Sequence, residues 1–388
     1  MTPWDGGIQQ LKRDALFREL TLRTPGPRFS DGDRLVTNFA TNDYLGLTQD
    51  DRVKAAALEA IRRFGTGSAS SRLLGGHFAV HEELESVLAE WKGTEKALVF
   101  SSGYAANVGV LTALTGPDDG IFSDALNHAS IIDGCRLSRA TVQVYPHGDI
   151  DYLASLLAKT PLKGRRFIVS DGVFSMDGDI APLRQLIELV ERFDAWLVVD
   201  DAHGHGVVGR FGRGVVDALD IHHERVVQVG TLSKALASQG GFITGSRALI
   251  DWIVNSARSF IFSTGLAPAA AAAAMKAVEI IRTEPSRQTR LQQYITQVLT
   301  ALGRPLPRVS TPIIPLLVGT ADRALHVAGA LWEEGVWAPA IRPPTVPVGT
   351  SRIRISLSAA HQPAEIETLV EVLKRLGMGG TSVDGITG

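Results

Sequence analysis

The chain has 388 residues, of which 45% are hydrophobic and 21% charged, so it is long enough for two or three domains with large buried cores. Its 39 Lys and Arg residues nearly balance 41 Asp and Glu residues, and the formal net charge of -2 argues against nucleic acid as the main partner. A single cysteine, Cys135, excludes an intrachain disulfide and a cysteine-rich metal site.

Neither a secretion signal nor a membrane span stands out. The first residues lack the basic-then-apolar order of a signal peptide, and the most apolar long stretch, 260–275, is mostly alanine and too short for a span. We therefore expect a soluble cytoplasmic protein with no membrane partner.

Buried strands alternate with helices through the first two thirds of the chain. The first 45 residues are irregular and predict a helix and an arm. Short apolar, β-branched runs follow at 97–100, 167–169, 196–199 and 226–229, with amphipathic stretches such as 183–193 between them. This alternation predicts an α/β fold with a doubly wound, mostly parallel sheet, in which ligands bind at the carboxyl ends of the strands.

The last third has a different pattern. Strands are predicted at 312–318, 336–341 and 353–357, with helices at 321–334 and 363–376, and an alanine-rich helix over 266–283 precedes them. These elements indicate a smaller α+β domain. The predicted boundaries are 1–45 for the N-terminal helix and arm, 46–284 for the large domain and 285–388 for the small domain. Its glycine-rich tail, 378–388, is expected to be mobile.

Two familiar binding motifs are weak here. Gly204, Gly206 and Gly209 match a dinucleotide fingerprint after a strand, but the next residues do not begin a helix, so we do not expect a dinucleotide site. The Asp and His residues over 200–205 suggest a metal-dependent hydrolase as a rival from another class. No second cluster completes a metal shell, so no metal is predicted. We interpret His205 and the pair His222 and His223 as solvated surface histidines.

A pyridoxal phosphate (PLP) site explains more of the strand ends. Asp200 ends a buried strand, where a carboxylate needs a cationic partner such as a protonated pyridine nitrogen. His203 is placed to bond a ring hydroxyl. Lys234 follows the next strand and could form a Schiff base, although alone it would suit a surface position. Thr231 and Ser233 offer hydroxyls for a phosphate.

The phosphate has a second predicted anchor. Residues 102–107 follow a strand and open a helix, whose first backbone N–H groups can bind a phosphate. Together with Lys234 and Asp200, this segment supplies the three parts that a PLP site requires.

These motifs resemble those of the α-oxoamine synthases, a branch of the fold-type I PLP-dependent transferases. The resemblance spans residues 10–376 and rests on NDYLGL at 42–47, SGYAAN at 102–107, HAS at 128–130, VFSMDG at 173–178, DDAHG at 200–204 and TLSK at 231–234. It implies a large domain with a mostly parallel seven-stranded sheet, a smaller C-terminal α+β domain, and an acyltransferase that joins an amino acid to an acyl thioester with loss of CO2.

The resemblance also implies residue roles. Lys234, His128 and Asp200 would be catalytic. The cofactor would be bound by Gly103, Tyr104, His128, Ser175, Asp200, His203, Thr231, Ser233, Lys234 and Thr264, and the substrates by Arg18, Asn42, His128, Thr345 and Arg354. Thr264 would reach the site of a neighbouring subunit, which implies a homodimer with active sites at the subunit interface.

Some of these assignments keep alternatives. The register of the N-terminal arginine leaves Arg23, or Phe17 in its place, as alternatives to Arg18. Arg352 and Arg354 alternate with isoleucines, an arrangement that also suits a solvated strand face.

Substrate choice rests on a short proline-rich segment. Residues 341–347, IRPPTVP, resemble the branch that joins L-alanine to a pimeloyl thioester, carried on acyl carrier protein or coenzyme A, in biotin synthesis. Glycine- or serine-using family members stay open: 5-aminolevulinate synthase, 2-amino-3-ketobutyrate ligase and serine palmitoyltransferase. The Gly/Ser-rich loop over 65–72 varies across the family, so glycine is not excluded as a substrate.

Overall fold

The computed structural model describes Thr2 and residues 4–378, so the predicted tail lies outside the described residues except for Met378. The chain forms two compact units. The large unit contains Leu47–Ser175 and Asp179–Gln288. The small unit contains the residues up to Gly46, the short segment Met176–Gly178 and the residues from Thr289 onward.

The described residues form the following helices and strands, in chain order: α1 Asp5–Arg13, β1 Arg28–Asp31, β2 Arg34–Asn38, α2 Asp51–Phe64, α3 Ala79–Lys92, β3 Lys96–Phe100, α4 Gly103–Leu114, β4 Gly120–Asp124, α5 Ala129–Leu137, β5 Thr141–Tyr145, α6 Ile150–Lys159, β6 Arg166–Asp171, α7 Leu183–Arg192, β7 Ala195–Asp200, α8 Val215–Ala218, β8 Val226–Thr231, β9 Gly241–Gly245, α9 Arg247–Ser256, α10 Arg258–Ile261, α11 Pro268–Thr283, α12 Ser286–Ala301, β10 Ile313–Gly319, α13 Ala321–Glu333, β11 Val336–Trp337, β12 Ala340–Ile341, β13 Ser351–Ser356 and α14 Pro363–Arg375.

A seven-stranded sheet is the framework of the large unit. Its order is β3-β9-β8-β7-β6-β4-β5, and β9 alone runs antiparallel to its neighbours. The central strands β4, β6, β7 and β8 are apolar and almost wholly buried, as expected for a sheet covered on both faces. Parallel strands bring their carboxyl ends to one edge, and the register pairs Asp171 directly with Asp200 there. This edge positions the predicted site.

Two small sheets organise the small unit. One has the order β10-β13-β12, and the other joins the β1–β2 hairpin to β11. Strand β11 pairs in parallel with β2, and the N-terminal residues up to Gly46 belong to the same unit as the residues from Thr289 onward. The predicted strand over 336–341 is two short strands, β11 and β12.

Two further structural findings bear on the rival interpretations. Gly209 is followed by a single 3-10 turn, Arg210–Gly212, and then by the four-residue helix α8, so no dinucleotide-type helix begins after the glycine fingerprint. Within the described part of the chain, no helix is both long and apolar enough to cross a bilayer.

Candidate active site

Lys234 and His203 lie together at the carboxyl edge of the large sheet. Lys234 comes three residues after the end of β8, and its Nζ lies 2.8 Å from His203 Nε2. His203 follows β7 and is buried. An amine held against a buried imidazole is a suitable arrangement for covalent capture of a carbonyl and for moving a proton.

A chain of hydrogen bonds runs from Asp200 to His128. Asp200 is 7% exposed, and its Oδ2 accepts a 2.6 Å bond from Asn107 Nδ2. Asn107 also donates to Ser130 Oγ at 2.9 Å, and that hydroxyl lies 2.7 Å from His128 Nδ1. His128 sits at the N-cap of α5. The four side chains therefore form one polar network that ties β7, α4 and α5 together.

Asp171 is a second buried carboxylate beside this network. It ends β6 opposite Asp200, and its Oδ2 accepts a 3.0 Å bond from the backbone N–H of His128. Burial and the neighbouring Asp200 raise the pKa of Asp171 well above its usual value, while burial lowers the pKa of His128. These two pKa shifts favour a neutral imidazole at His128 and a protonated carboxyl group at the buried Asp171.

The start of α4 and the loop after β8 form a small cradle. Ser102 caps α4 by accepting from the N–H of Ala105, and a Cβ added to Gly103 would lie 3.4 Å from Thr231 Cβ. Thr231 Oγ1 and Ser233 Oγ both donate to the carbonyl of Gly240. The N–H groups of the first turn of α4 are donors that suit a phosphate, and a side chain at Gly103 would narrow the space beside them. The two hydroxyls line the same space and would have to turn from the Gly240 carbonyl to donate to a phosphate.

Three other predicted cofactor residues, Tyr104, Ser175 and Thr264, are not among the side chains of the hydrogen-bond network and the cradle described above. Tyr104 is exposed on the first turn of α4, and its hydroxyl donates to Asp133. Ser175 lies in the turn closed by the bridge between Val173 and Ile180.

Thr264 is exposed and bridges Ser71. This bridge ties Thr264 to the 65–72 loop.

Apart from His128, which is in the large unit, the predicted substrate residues lie in the small unit. Arg354 is on β13, is 5% exposed, and donates through Nη2 to Asn42 Oδ1 at 3.2 Å and to Tyr44 Oη at 3.4 Å. Arg352 on the same strand is also buried and pairs with Asp177. The alternative interpretation of a solvated strand face is therefore wrong, because both guanidinium groups are enclosed by polar partners.

The N-terminal arginines separate clearly. Arg18 is exposed and donates to the carbonyl of Pro343 at 3.2 Å, so it lies beside the proline segment that carries the exposed Thr345. Arg23 instead stacks on the rings of Phe29 and Trp337 at 4.3 Å from each centroid. Its guanidinium has a packing role, which favours Arg18 as the arginine available to a ligand.

The interpretation of His205 as a solvated histidine is wrong. Its side chain is 1% exposed, and a Cβ on Gly230 would lie only 2.4 Å from His205 Nδ1. The missing glycine side chain leaves the space that the ring fills, and burial lowers the His205 pKa well below its usual value. His222, by contrast, is exposed as expected.

Three residues of the site carry no role in the sequence-based prediction: Asn107, Ser130 and Asp171. Asn107 and Ser130 fall inside the SGYAAN and HAS motifs, and Asp171 ends a buried strand as Asp200 does. Its position at the end of a buried strand, which Asp171 shares with Asp200, is the sequence feature that could have identified Asp171. Over the described residues, no group of three or more His, Cys, Asp or Glu side chains is arranged to hold a metal ion.

The donor set fits PLP. Asp200 accepts hydrogen bonds from Asn107 Nδ2 and the N–H of Ala202, and it is a buried acidic side chain of the kind that can pair with a pyridinium. Lys234 provides the amine, and the cradle at Gly103 and Thr231 provides the phosphate donors. The three parts belong to one unit and one sheet edge.

Comparison with known proteins agrees with this chemistry. Residues 34–373 match the family described as "Aminotransferase class I and II". The 8-amino-7-oxononanoate synthase of Anaeromyxobacter dehalogenans strain 2CP-1 is 49% identical over 376 residues, covering 95% of this chain and 94% of that protein. The enzyme of the same name from Herminiimonas arsenicoxydans is 47% identical, covering 95% and 97%. The chain belongs to the 8-amino-7-oxononanoate synthase family.

Solved structures support the same fold. The serine palmitoyltransferase of S. paucimobilis, solved with a PLP–myriocin aldimine, has a TM-score of 0.90 at 30% identity, covering 96% of this chain and 97% of that one. The 8-amino-7-oxononanoate synthase of Francisella tularensis has a TM-score of 0.75 at 28% identity, covering 88% and 98%. The predicted fold-type I PLP transferase class and the predicted α-oxoamine synthase branch are confirmed.

Proposed function

We propose that this chain condenses L-alanine with a pimeloyl thioester, on acyl carrier protein or coenzyme A, to give 8-amino-7-oxononanoate, CO2 and the free carrier in biotin biosynthesis. The observation that carries the proposal is the 2.8 Å contact of Lys234 Nζ with His203 beside the Asp200–His128 network, in a chain of this family. It combines an amine, a buried carboxylate and an imidazole at one sheet edge.

PLP is the cofactor that these residues suit. When bound, it withdraws electrons from the amino acid Cα and so makes the Cα proton removable. Lys234 would hold its carbonyl carbon and Asp200 its ring nitrogen, with His203 and Ser175 near the ring hydroxyl. The N–H groups at Gly103 and Tyr104, with Thr231, Ser233 and a subunit partner's Thr264, would bind or surround the phosphate.

Lys234 is proposed to move the protons of the reaction. Once L-alanine has displaced it, the free Nζ takes the Cα proton, and the Cα then forms a bond to the thioester carbonyl carbon. The carrier thiol leaves, the alanine carboxyl group is lost as CO2, and a proton returns to the Cα. His128, kept neutral by burial and oriented by Ser130, would contact both cofactor and substrate.

Substrate binding is assigned to residues of the small unit. Arg354 is proposed to bind the alanine carboxylate, since a guanidinium can bind a carboxylate through two hydrogen bonds. Asn42, which accepts from Arg354, would orient that guanidinium. Thr345 lies on the proline-rich segment and Arg18 donates to the carbonyl of Pro343 in that segment, so both are proposed to contact the acyl substrate.

Serine palmitoyltransferase is the second candidate, because the S. paucimobilis enzyme has the higher TM-score of the two solved structures. The higher sequence identity of the curated 8-amino-7-oxononanoate synthases, 49% against 30%, favours the first candidate. Proteins with the same backbone fold can differ in the residues that line the substrate site. Sequence identity is therefore a better guide to the substrate than the TM-score.

We also propose that the protein is a cytoplasmic homodimer. The exposed Thr264 gives a partner subunit access to its hydroxyl, and one buried cysteine suits a reducing compartment. Sedimentation at assay concentration tests the dimer, and full activity in a monomer would contradict it.

Product analysis by mass spectrometry tests the function. The purified protein would receive PLP, pimeloyl thioester, and L-alanine, glycine and serine together. A product containing the alanine carbons, with CO2 lost, is expected. A glycine- or serine-derived product would overturn the substrate and keep the reaction class. Repeating the assay with acyl carrier protein and with coenzyme A thioesters identifies the carrier.

A further inference from the structure

We propose that His147 is a positioning residue that holds together two loops of the active site without touching cofactor or substrate. The first loop, 124–128, ends in His128. The second is the turn from Val173 to Ile180, which carries Ser175. The inference rests on the proposed function only for the roles of His128 and Ser175, since the contacts of His147 are independent of it.

His147 bridges two carboxylates, one from each loop. Its Nδ1 lies 3.1 and 3.2 Å from the two oxygens of Asp124, and its Nε2 lies 2.9 Å from Asp179 Oδ2. A carboxylate offers only acceptors, so both ring nitrogens must carry protons and the ring is an imidazolium. Its edge packs against Phe174, with the ring centroids 4.3 Å apart.

Asp124 determines the course of the first loop. It is 3% exposed and accepts from the backbone N–H groups of Leu126 and Gly148 at 2.8 and 3.1 Å. Asn127 then donates to the carbonyl of Val169 at 2.8 Å, and His128 follows directly. A change at Asp124 is therefore passed along a short, hydrogen-bonded segment to the position of His128.

Asp179 closes the second loop. Its carbonyl accepts from the N–H of Phe174 at 3.0 Å, and the bridge between Val173 and Ile180 completes the turn. Ser175 lies within this turn. The side chain of Asp179 reaches His147, so the imidazolium holds the turn that carries Ser175 against the strand edge where Asp124 lies.

The surrounding charges favour the protonated ring. Hydrogen bonds to Asp124 and then Asp179 raise the pKa of His147 to about 10. Asp149, on the same segment, caps α6 through the N–H of Tyr152, and Tyr145 at the end of β5 has a pKa raised by burial and by Asp124. The charge on His147 is therefore kept at neutral pH and is lost only in strongly alkaline solution.

The test compares His147→Gln with His222→Gln. His222 also contacts an aspartate, Asp220 at 3.2 Å, but is 83% exposed on a surface loop, so it is a matched control. Hydrogen exchange of the PLP-loaded protein reports the two loops directly. Loss of charge-assisted hydrogen bonds should raise exchange in 124–128 and 173–180 by about tenfold or more in His147→Gln. The control should leave both segments unchanged.

A rescue variant separates positioning from general stability. His147→Arg keeps the positive charge and two donor directions, so it should restore slow exchange and most of kcat, whereas Asp179→Asn should free the 173–180 turn alone. In His147→Gln, kcat should fall about tenfold with a smaller change in KM for L-alanine.

Three results for His147→Gln would overturn the inference: unchanged hydrogen exchange in both loops, equally faster exchange over the whole chain, or a normal kcat. If the wild-type protein makes no product, the proposed function fails while the exchange data still decide the role of His147.

Discussion

Replacing Asn107 by leucine should weaken both the fold and the cofactor site. Leucine has the same number and branching of non-hydrogen side-chain atoms as asparagine, so the change removes hydrogen bonds without leaving a cavity. It deletes the 2.6 Å bond to the buried carboxylate of Asp200 and the 2.9 Å bond to Ser130. A bond to a charged group contributes about 1.5–3 kcal/mol and a neutral one about 0.5–1.5 kcal/mol, so the free energy of unfolding should fall by about 3 kcal/mol.

Urea unfolding at fixed protein concentration measures this loss, and titration of the cofactor-free protein with PLP measures the site. PLP should bind more weakly because Asp200 and Ser130 lose a shared donor. The matched control is Asn255→Leu, at an exposed asparagine that donates to the carbonyl of Asp251. Its change in unfolding free energy should stay within about 0.5 kcal/mol.

The variant Asn107→Asp adds a test with a defined sign. A second carboxyl beside Asp200 would have a raised pKa, so it is protonated in the fold at pH values where it is ionised in the unfolded chain. Its stability penalty should therefore be absent in acid and grow as the pH rises above the usual aspartate pKa. Wild-type stability and PLP affinity in Asn107→Leu, or a penalty in Asn107→Asp that shrinks with rising pH, would refute the role of this network.

Three other substitutions follow from the site. Lys234→Ala should abolish condensation and the visible absorbance of lysine-bound PLP, and full turnover in this variant would contradict the assignment. Asp200→Asn should still bind PLP but lose most of kcat, because the alanine Cα proton is no longer removed readily. Exchange of that proton with solvent measures the removal step, and a near-normal exchange rate would exclude the proposed role of Asp200 in supporting electron withdrawal by PLP. Arg354→Lys should raise KM for L-alanine about 10- to 100-fold, since the bidentate carboxylate bond is lost, with Arg352→Lys as the control in steady-state kinetics.

The large sheet could be predicted because its strands are buried on both faces. The predicted runs at 97–100, 167–169, 196–199 and 226–229 match β3, β6, β7 and β8 within a few residues. A parallel sheet then brings the residues after those strands to one edge, which is why Asp200, His203 and Lys234 could be placed together before any coordinates. The sequence motifs then identified two further parts of the site, His128 and the first turn of α4, which hydrophobic periodicity alone does not identify.

The N-terminal hairpin was missed for a physical reason. Strands β1 and β2 each contribute one buried residue, so their hydrophobic pattern is too weak to predict a strand. The signal that was present is the two-residue turn Gly32-Asp33, where Gly32 has a φ of 58°. The parallel pairing of β2 with β11 joins residues about 300 positions apart, and no local pattern predicts such a contact.

Residues that act on other residues are the hardest to recognise from sequence. Lys234 and Asp200 stand at strand ends, where position alone suggests chemistry. Asn107 lies on a helix, and its importance depends on the 2.6 Å distance to Asp200, which exists only because β7 and α4 are neighbours in the folded unit. His147 gains its charge from two carboxylates separated from it by 23 and 32 residues. Although His147 also follows a strand, β5, neither its position nor that of Asn107 indicates which carboxylates it meets, so its role becomes visible only when its partners have coordinates.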